Sequence, residues 1–194
     1  MKIKQQKDIR KFLESEFSAS EGEELFARQE KILLAMVREL QEKDKSRYKT
    51  LAQTIYPRIA LYKALQEALP ENEKYQVMRK YMLDVVAAAK HKATARMEIV
   101  PGFFYIYRAV FLRIMRTTTL QESTQSKGKG FYDITLTRCL WHDACVKYGC
   151  PELCTLFCDV DDVTYGNLRK IGFTRTKTLG YGGDCCDFHF YSKA

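Results

Sequence analysis

Seven cysteines stand between Cys139 and Cys186, within the last 56 residues of a 194-residue chain, interleaved with aspartates and a single histidine, His142. A cysteine nucleophile needs its thiol pKa lowered, either by a nearby imidazolium or by a helix N-terminus. Cys139 closes the β-rich run Tyr132, Ile134, Thr135, Leu136, Thr137, and His142 lies one turn into the helical stretch that follows. If Cys139 caps that helix, its thiolate would feel the helix N-terminus. Asp161 could orient the imidazole or act as the base itself. Cys158 and Cys186 complete the candidate constellation. A free cysteine is among the most buried residue types, so packing is the simpler reading for Cys145, Cys150, Cys154 and Cys185.

Other chemistries fail on spacing. The gaps Cys139-x5-Cys145-x4-Cys150-x3-Cys154-x3-Cys158 contain no C-x-x-C, which argues against zinc ribbons and redox dithiols. A zinc ion held by cysteines from distant segments stays open, but no metal ligands are assigned. Asp159, Asp161 and Asp162 hint at a calcium loop, yet Val163 and Lys170 fall where oxygen ligands belong. Gly180-x-Gly182-Gly183 is not followed by a helix, so it is no dinucleotide loop, and there is no G-x-S-x-G or H-E-x-x-H.

The elements that position these residues divide into two regions. Residues 1–120 read as helical. Ser20, followed by Glu23 and Glu24, suits an N-cap, and Leu25, Ile32, Leu33, Met36, Val37 and Leu40 recur at helical spacing. Pro57 predicts a break or kink in the next helix, and Leu69-Pro70-Glu71-Asn72 a stop and restart. A third helix ends in the alanine-rich stretch before His91. The apolar stretch Ile99–Met115, opened by Pro101-Gly102, reads as a buried helix, too short and too charged to span a membrane. Residues 121–130, QESTQSKGKG, read as a loop. In residues 131–194 a strand ends at Cys139, Leu140–Tyr148 is helical with Gly149 as a left-handed C′ residue, and Pro151-Glu152 starts another helix. Phe173–Thr178 and Cys186–Tyr191 read as strands around a glycine turn. The expected fold class is α+β: an N-terminal helical region packed with a C-terminal antiparallel sheet carrying inserted helices.

Composition bounds the function. With 46% hydrophobic residues the chain can bury a core, which excludes disorder. Residues 1–130 hold 25 basic against 16 acidic side chains, and residues 131–194 hold 7 against 8. The basic residues are interspersed with glutamates on amphipathic helices, without a nucleic-acid signature, so they read as solvated faces and no nucleic-acid partner is expected. Arg108, Arg113 and Arg116 differ because they sit on an apolar helix, where a guanidinium could hold a substrate carboxylate. The odd cysteine count and the absence of an apolar leader in Met1–Leu13 point to a cytoplasmic protein with reduced thiols, no membrane partner and an oligomeric state left open.

The stretch TRCLWHDACVKYGCPELCTLFCDVDD, with RTKTLGYGGDCCDFHF after it, resembles the L-2-amino-thiazoline-4-carboxylic acid hydrolase family. The helical LAQTIYPRIALYKALQEAL is compatible with that family but less distinctive. The resemblance implies a small-molecule substrate: a 2-aminothiazoline carboxylate ring, opened by water or a thiolate at its amidine-like carbon to an N-carbamoyl-cysteine. Cys139, Glu152, Cys158, Asp161, Gly183 and Cys186 match its pattern. On this reading Cys139 or Cys158 is the nucleophile, His142 or Asp161 the base, and Arg108 or Arg138 the carboxylate anchor, with Glu152 and Gly183 as further substrate contacts. The closing Gly-Gly-Asp-Cys-Cys-Asp-Phe is also similar to vinyl-reductase-like sensor domains, some of which hold zinc. Thr176 and Leu179 stand where those domains carry metal ligands. The alternative function is therefore a non-catalytic small-molecule binding or sensor domain.

Overall fold

The computed structural model describes residues 3–193. Its first helices, α1 (Gln5–Glu16) and α2 (Ala19–Arg38), are joined by a tight turn. The N-cap of α2 is Ser18, not Ser20: the Ser18 hydroxyl accepts from the Glu21 N–H while the Glu21 carboxylate accepts from the Ser18 N–H. That reciprocal pair satisfies two orphan groups, whereas Ser20 has none to satisfy and lies inside the first turn.

Pro57 does not break its helix. α3 (Lys45–Thr50) passes through a π-helical turn, Leu51–Ile55, into α4 (Tyr56–Ala68), with Pro57 in the first turn of α4. Proline has no N–H for the carbonyl four residues back. That carbonyl, Gln53 O, instead accepts from Gln5 Nε2 of α1 at 2.9 Å. The helix stops at Leu69-Pro70 as expected and restarts as α5 (Glu71–Lys80). A second π-helical segment, Tyr81–Ala87, leads into α6 (Ala88–Met97), so this helix runs beyond His91. Gly102, at φ 68°, precedes α7 (Phe103–Thr117). α7 is only half buried: Phe103, Phe104, Leu112 and Met115 face inward, while Tyr105, Ile106, Val110 and Ile114 are exposed. Its apolar content was therefore a poor guide to burial.

The expected loop at 121–130 is a strand. β1 (Gln121–Gly128) pairs antiparallel with β2 (Phe131–Cys139), from Gln121 opposite Cys139 to Gly128 opposite Phe131. β1 is an edge strand, and its backbone pairing to β2 needs no apolar side chain. α8 (Leu140–Lys147) and α9 (Leu153–Gly166) follow, separated by Gly149 at φ 61°. The sheet is completed by β3 (Ile171–Thr174) and β4 (Cys186–Ser192), in the antiparallel order β1-β2-β4-β3. β3 is shorter than the run Phe173–Thr178 because the chain peels away after Thr174. The Asp187 carboxylate takes up the freed Thr176 and Lys177 N–H groups at 2.9 and 2.8 Å. The fold is α+β.

Two apolar clusters form. One joins α1, α2 and α4 to α8 and to the first half of α9; the other joins α7 to the sheet, with Tyr132 and Phe190 stacked at 4.8 Å. α9 belongs to both, through Leu153–Val160 on one side and Tyr165 on the other. Among the described residues, no helix is long and apolar enough to cross a membrane.

Candidate active site

A cavity of about 280 Å³ opens between these two clusters. Cys139, Cys158, Asp161 and Cys186 all line it. Cys158 and Asp161 lie three residues apart on α9, which puts both on one helical face. Cys139 ends β2 and is the N-cap residue of α8. Cys186 opens β4 opposite Leu136 of β2, and its Sγ accepts from the Leu179 N–H at 3.3 Å. A short turn, Leu179–Tyr181, presses on α9 so closely that a Cβ on Gly180 would stand 2.8 Å from Cys158 Sγ.

The electrostatics of these four groups differ from what a thiolate nucleophile requires. Burial pushes the Cys139 thiol up to about 12, against the weaker downward pull of the His142 and Trp141 N–H groups. Cys158 is raised because its S–H is engaged with Cys154 and because it is buried; Cys186 is raised by burial. Cys154, read from the sequence as packing, also lines the cavity, and among the cavity thiols it is the one whose pKa is lowered: the Cys145 and Cys158 thiols are directed towards it, and the charge of His142 adds to the effect. Asp161 is the titratable carboxyl of the cavity. Burial pushes it up to about 6, with Lys90 and Arg175 holding it down and Asp162 pushing it further up.

The other candidates lie outside the cavity wall. His142 has its Nδ1 3.9 Å from the neighbouring Asp143 carboxylate. What His142 offers Cys139 is its backbone N–H, not its imidazole. Arg108 donates to Gly128 O at 2.8 Å and lies over the Tyr105 ring at 5.2 Å. Arg138 is exposed and paired with Asp143 and Glu122. Glu152 accepts from the Tyr62 hydroxyl at 2.9 Å, and the Gly183 N–H donates to Thr178 O at 2.9 Å. Gly183 serves the turn, where a Cβ would meet Thr178 O at 2.9 Å.

The cavity's cations come from the helical region instead. Arg58 of α4 and Lys90 of α6 both line it, each following a π-helical segment that turns the helix face relative to a regular α-helix. Arg58 is 6% exposed, and its Nε has no hydrogen-bond partner. Its guanidinium lies 5.6 Å from the centre of the Phe157 ring, close to Tyr81. Among the described residues it has no carboxylate partner. Burial lowers the pKa of Arg58. Lys90 is exposed as a residue, and its pKa is lowered by local desolvation and by Arg58, with Asp161 countering both. A cation flanked by Pro57 and Ile59 in the apolar run Ile55–Leu65 was a readable signal, of the same kind as Arg108 on α7. No three His, Cys, Asp or Glu side chains among the described residues form a group that could hold a metal ion.

Fold and site together define an α+β protein with a cavity between its helical region and its sheet, bearing a buried cation and a carboxyl whose pKa is pushed up to about 6. The chain belongs to the L-2-amino-thiazoline-4-carboxylic acid hydrolase family, whose model matches residues 47–190. The match takes in both cavity cations as well as every cysteine. No curated protein and no solved structure matches the chain.

Proposed function

We propose that the chain is a hydrolase that opens a 2-aminothiazoline-4-carboxylate ring in the cavity between α4, α9 and the sheet. Water adds its oxygen to the amidine-like carbon between nitrogen and sulfur, the carbon–sulfur bond breaks, and the ring sulfur leaves as a thiol. The product is an N-carbamoyl-cysteine. The observation that carries the reading is the buried, carboxylate-free Arg58 facing the same cavity as Asp161. A guanidinium buried without a counter-charge is costly, and a substrate carboxylate supplies the missing partner in two-point geometry. Asp161, with a pKa near 6, takes the proton from the attacking water at neutral pH. Cys139 and Cys158 stay protonated, and the Cys139 S–H can donate to the departing ring sulfur; a thiolate route would instead run through Cys154, the cavity thiol with the lowered pKa.

The test is turnover of 2-aminothiazoline-4-carboxylate by the purified protein, followed as N-carbamoyl-cysteine. Arg58→Gln is expected to raise KM and Asp161→Asn to lower kcat. Folded variants that turn over at the parent rate would refute these roles. Saturable binding of the thiazoline without product would favour the sensor-domain reading.

A further inference from the structure

The cavity is larger and more apolar than the small ring needs. Its charged groups, Arg58, Lys90 and Asp161, come from the helices α4, α6 and α9. Another part of its wall is aromatic and comes from α7 and the sheet: Phe111, Phe173, Phe188 and Phe190. These rings pack on one another, with Phe173 4.8 Å and Phe111 5.6 Å from Phe190. An aminothiazoline carboxylate fills on the order of 150 Å³ at interior packing density, little more than half of the 280 Å³ present. Its carboxylate and amidine groups are matched by Arg58, Lys90 and Asp161. A ring this small covers at most part of the phenylalanine wall with its sulfur and methylene, and apolar space left empty forfeits contact energy.

We infer that the substrate class of this site is a cyclic amidine carboxylate bearing an aryl or branched alkyl group, with that group held against Phe111, Phe173, Phe188 and Phe190. This rests on the ring opening proposed above. The same bonds are made and broken: water adds at the carbon between nitrogen and sulfur, and the substituent stays on the thiol product.

The experiment compares 2-aminothiazoline-4-carboxylate with its 5-phenyl derivative on the purified full chain. Turnover is measured on the parent protein, and calorimetric binding of both compounds on Asp161→Asn. The phenyl compound is expected to show a kcat/KM at least about tenfold higher, and to bind more tightly by a similar factor. In Phe188→Ala the ratio of the two kcat/KM values should fall towards one. Equal or better handling of the unsubstituted ring overturns the inference and leaves the hydrolase reading standing. Tighter binding of the phenyl compound with turnover of neither refutes the hydrolase reading and upholds the ligand class. Binding of neither compound overturns both.

Discussion

Replacing Arg58 by methionine separates a residue kept for stability from one kept for a ligand. Methionine matches the length of the arginine stem and is at home in an apolar site. The substitution removes the guanidinium of a residue that is 6% exposed, whose Nε has no acceptor among the described residues. An unsatisfied buried donor costs about 1–3 kcal/mol, and more when it is charged. Against this stand the contact with the Phe157 ring, worth about 0.5–2 kcal/mol, and the interaction with Tyr81, worth roughly 1 kcal/mol. The two sides cancel to within about 1 kcal/mol, so the variant should be about as stable as the parent, within about 4 °C in melting temperature for a chain of this size. The same change removes the carboxylate anchor, and a hydrogen bond to a charged group is worth about 1.5–3 kcal/mol, or roughly ten- to a hundredfold in KM. Urea titration and steady-state kinetics on the one variant read both effects. Loss of more than about 2 kcal/mol of stability with KM unchanged would refute the reasoning and make Arg58 a structural cation.

Further predictions follow from the same geometry. The Asp161 pKa is raised on folding, so the unfavourable burial of its carboxylate is fully present above about pH 6 and vanishes below the unfolded value near 4. Asp161→Asn should therefore be more stable than the parent by on the order of 2 kcal/mol at pH 7.5 and equal to it below pH 4, as read by denaturant titration at the two pH values; a gain independent of pH would contradict the assignment. As the base of the reaction, Asp161 must be ionised, so kcat/KM should rise through a midpoint near pH 6 and lose that limb in the asparagine variant. Cys139, with a thiol near 12, should resist iodoacetamide at pH 7 in the folded protein, whereas fast labelling there by peptide mass mapping would revive the thiolate nucleophile. Gly180→Ala places a Cβ 2.8 Å from Cys158 Sγ and 3.0 Å from Cys154 O, so it should destabilise by about 1–3 kcal/mol and depress turnover. Gln5→Ala leaves the Gln53 carbonyl, freed by Pro57, without its Gln5 Nε2 donor and should cost about 1 kcal/mol.

Local signals made much of this architecture legible. The alternation of Cys186, Phe188 and Phe190 with Asp187, His189 and Tyr191 identified β4, and Gly149 and Pro70 marked chain stops, because periodicity and φ preferences act within a few residues. Of the nominated set, Cys139, Cys158, Asp161 and Cys186 line one cavity, while His142 lies outside its wall. Other features depended on partners far along the chain. β1 carries no apolar pattern, and only its pairing with β2 makes it a strand. Pro57 signalled disruption, but whether the helix broke or widened depended on Gln5 reaching Gln53 O from α1.

By itself, then, the sequence determined the helical character of residues 1–120, the strands β2 and β4, the α+β class and the concentration of thiols and carboxylates that marks the family, all of which are written in neighbouring residues. Only the tertiary structure decided the chemical character of the site. Burial raises Cys139 and brings Asp161 near neutrality. Packing of the helical region against the sheet puts Arg58, rather than Arg108 or Arg138, in the cavity. A pKa and a binding partner are set by desolvation and by groups that folding brings together, and neither is encoded in the spacing of a motif.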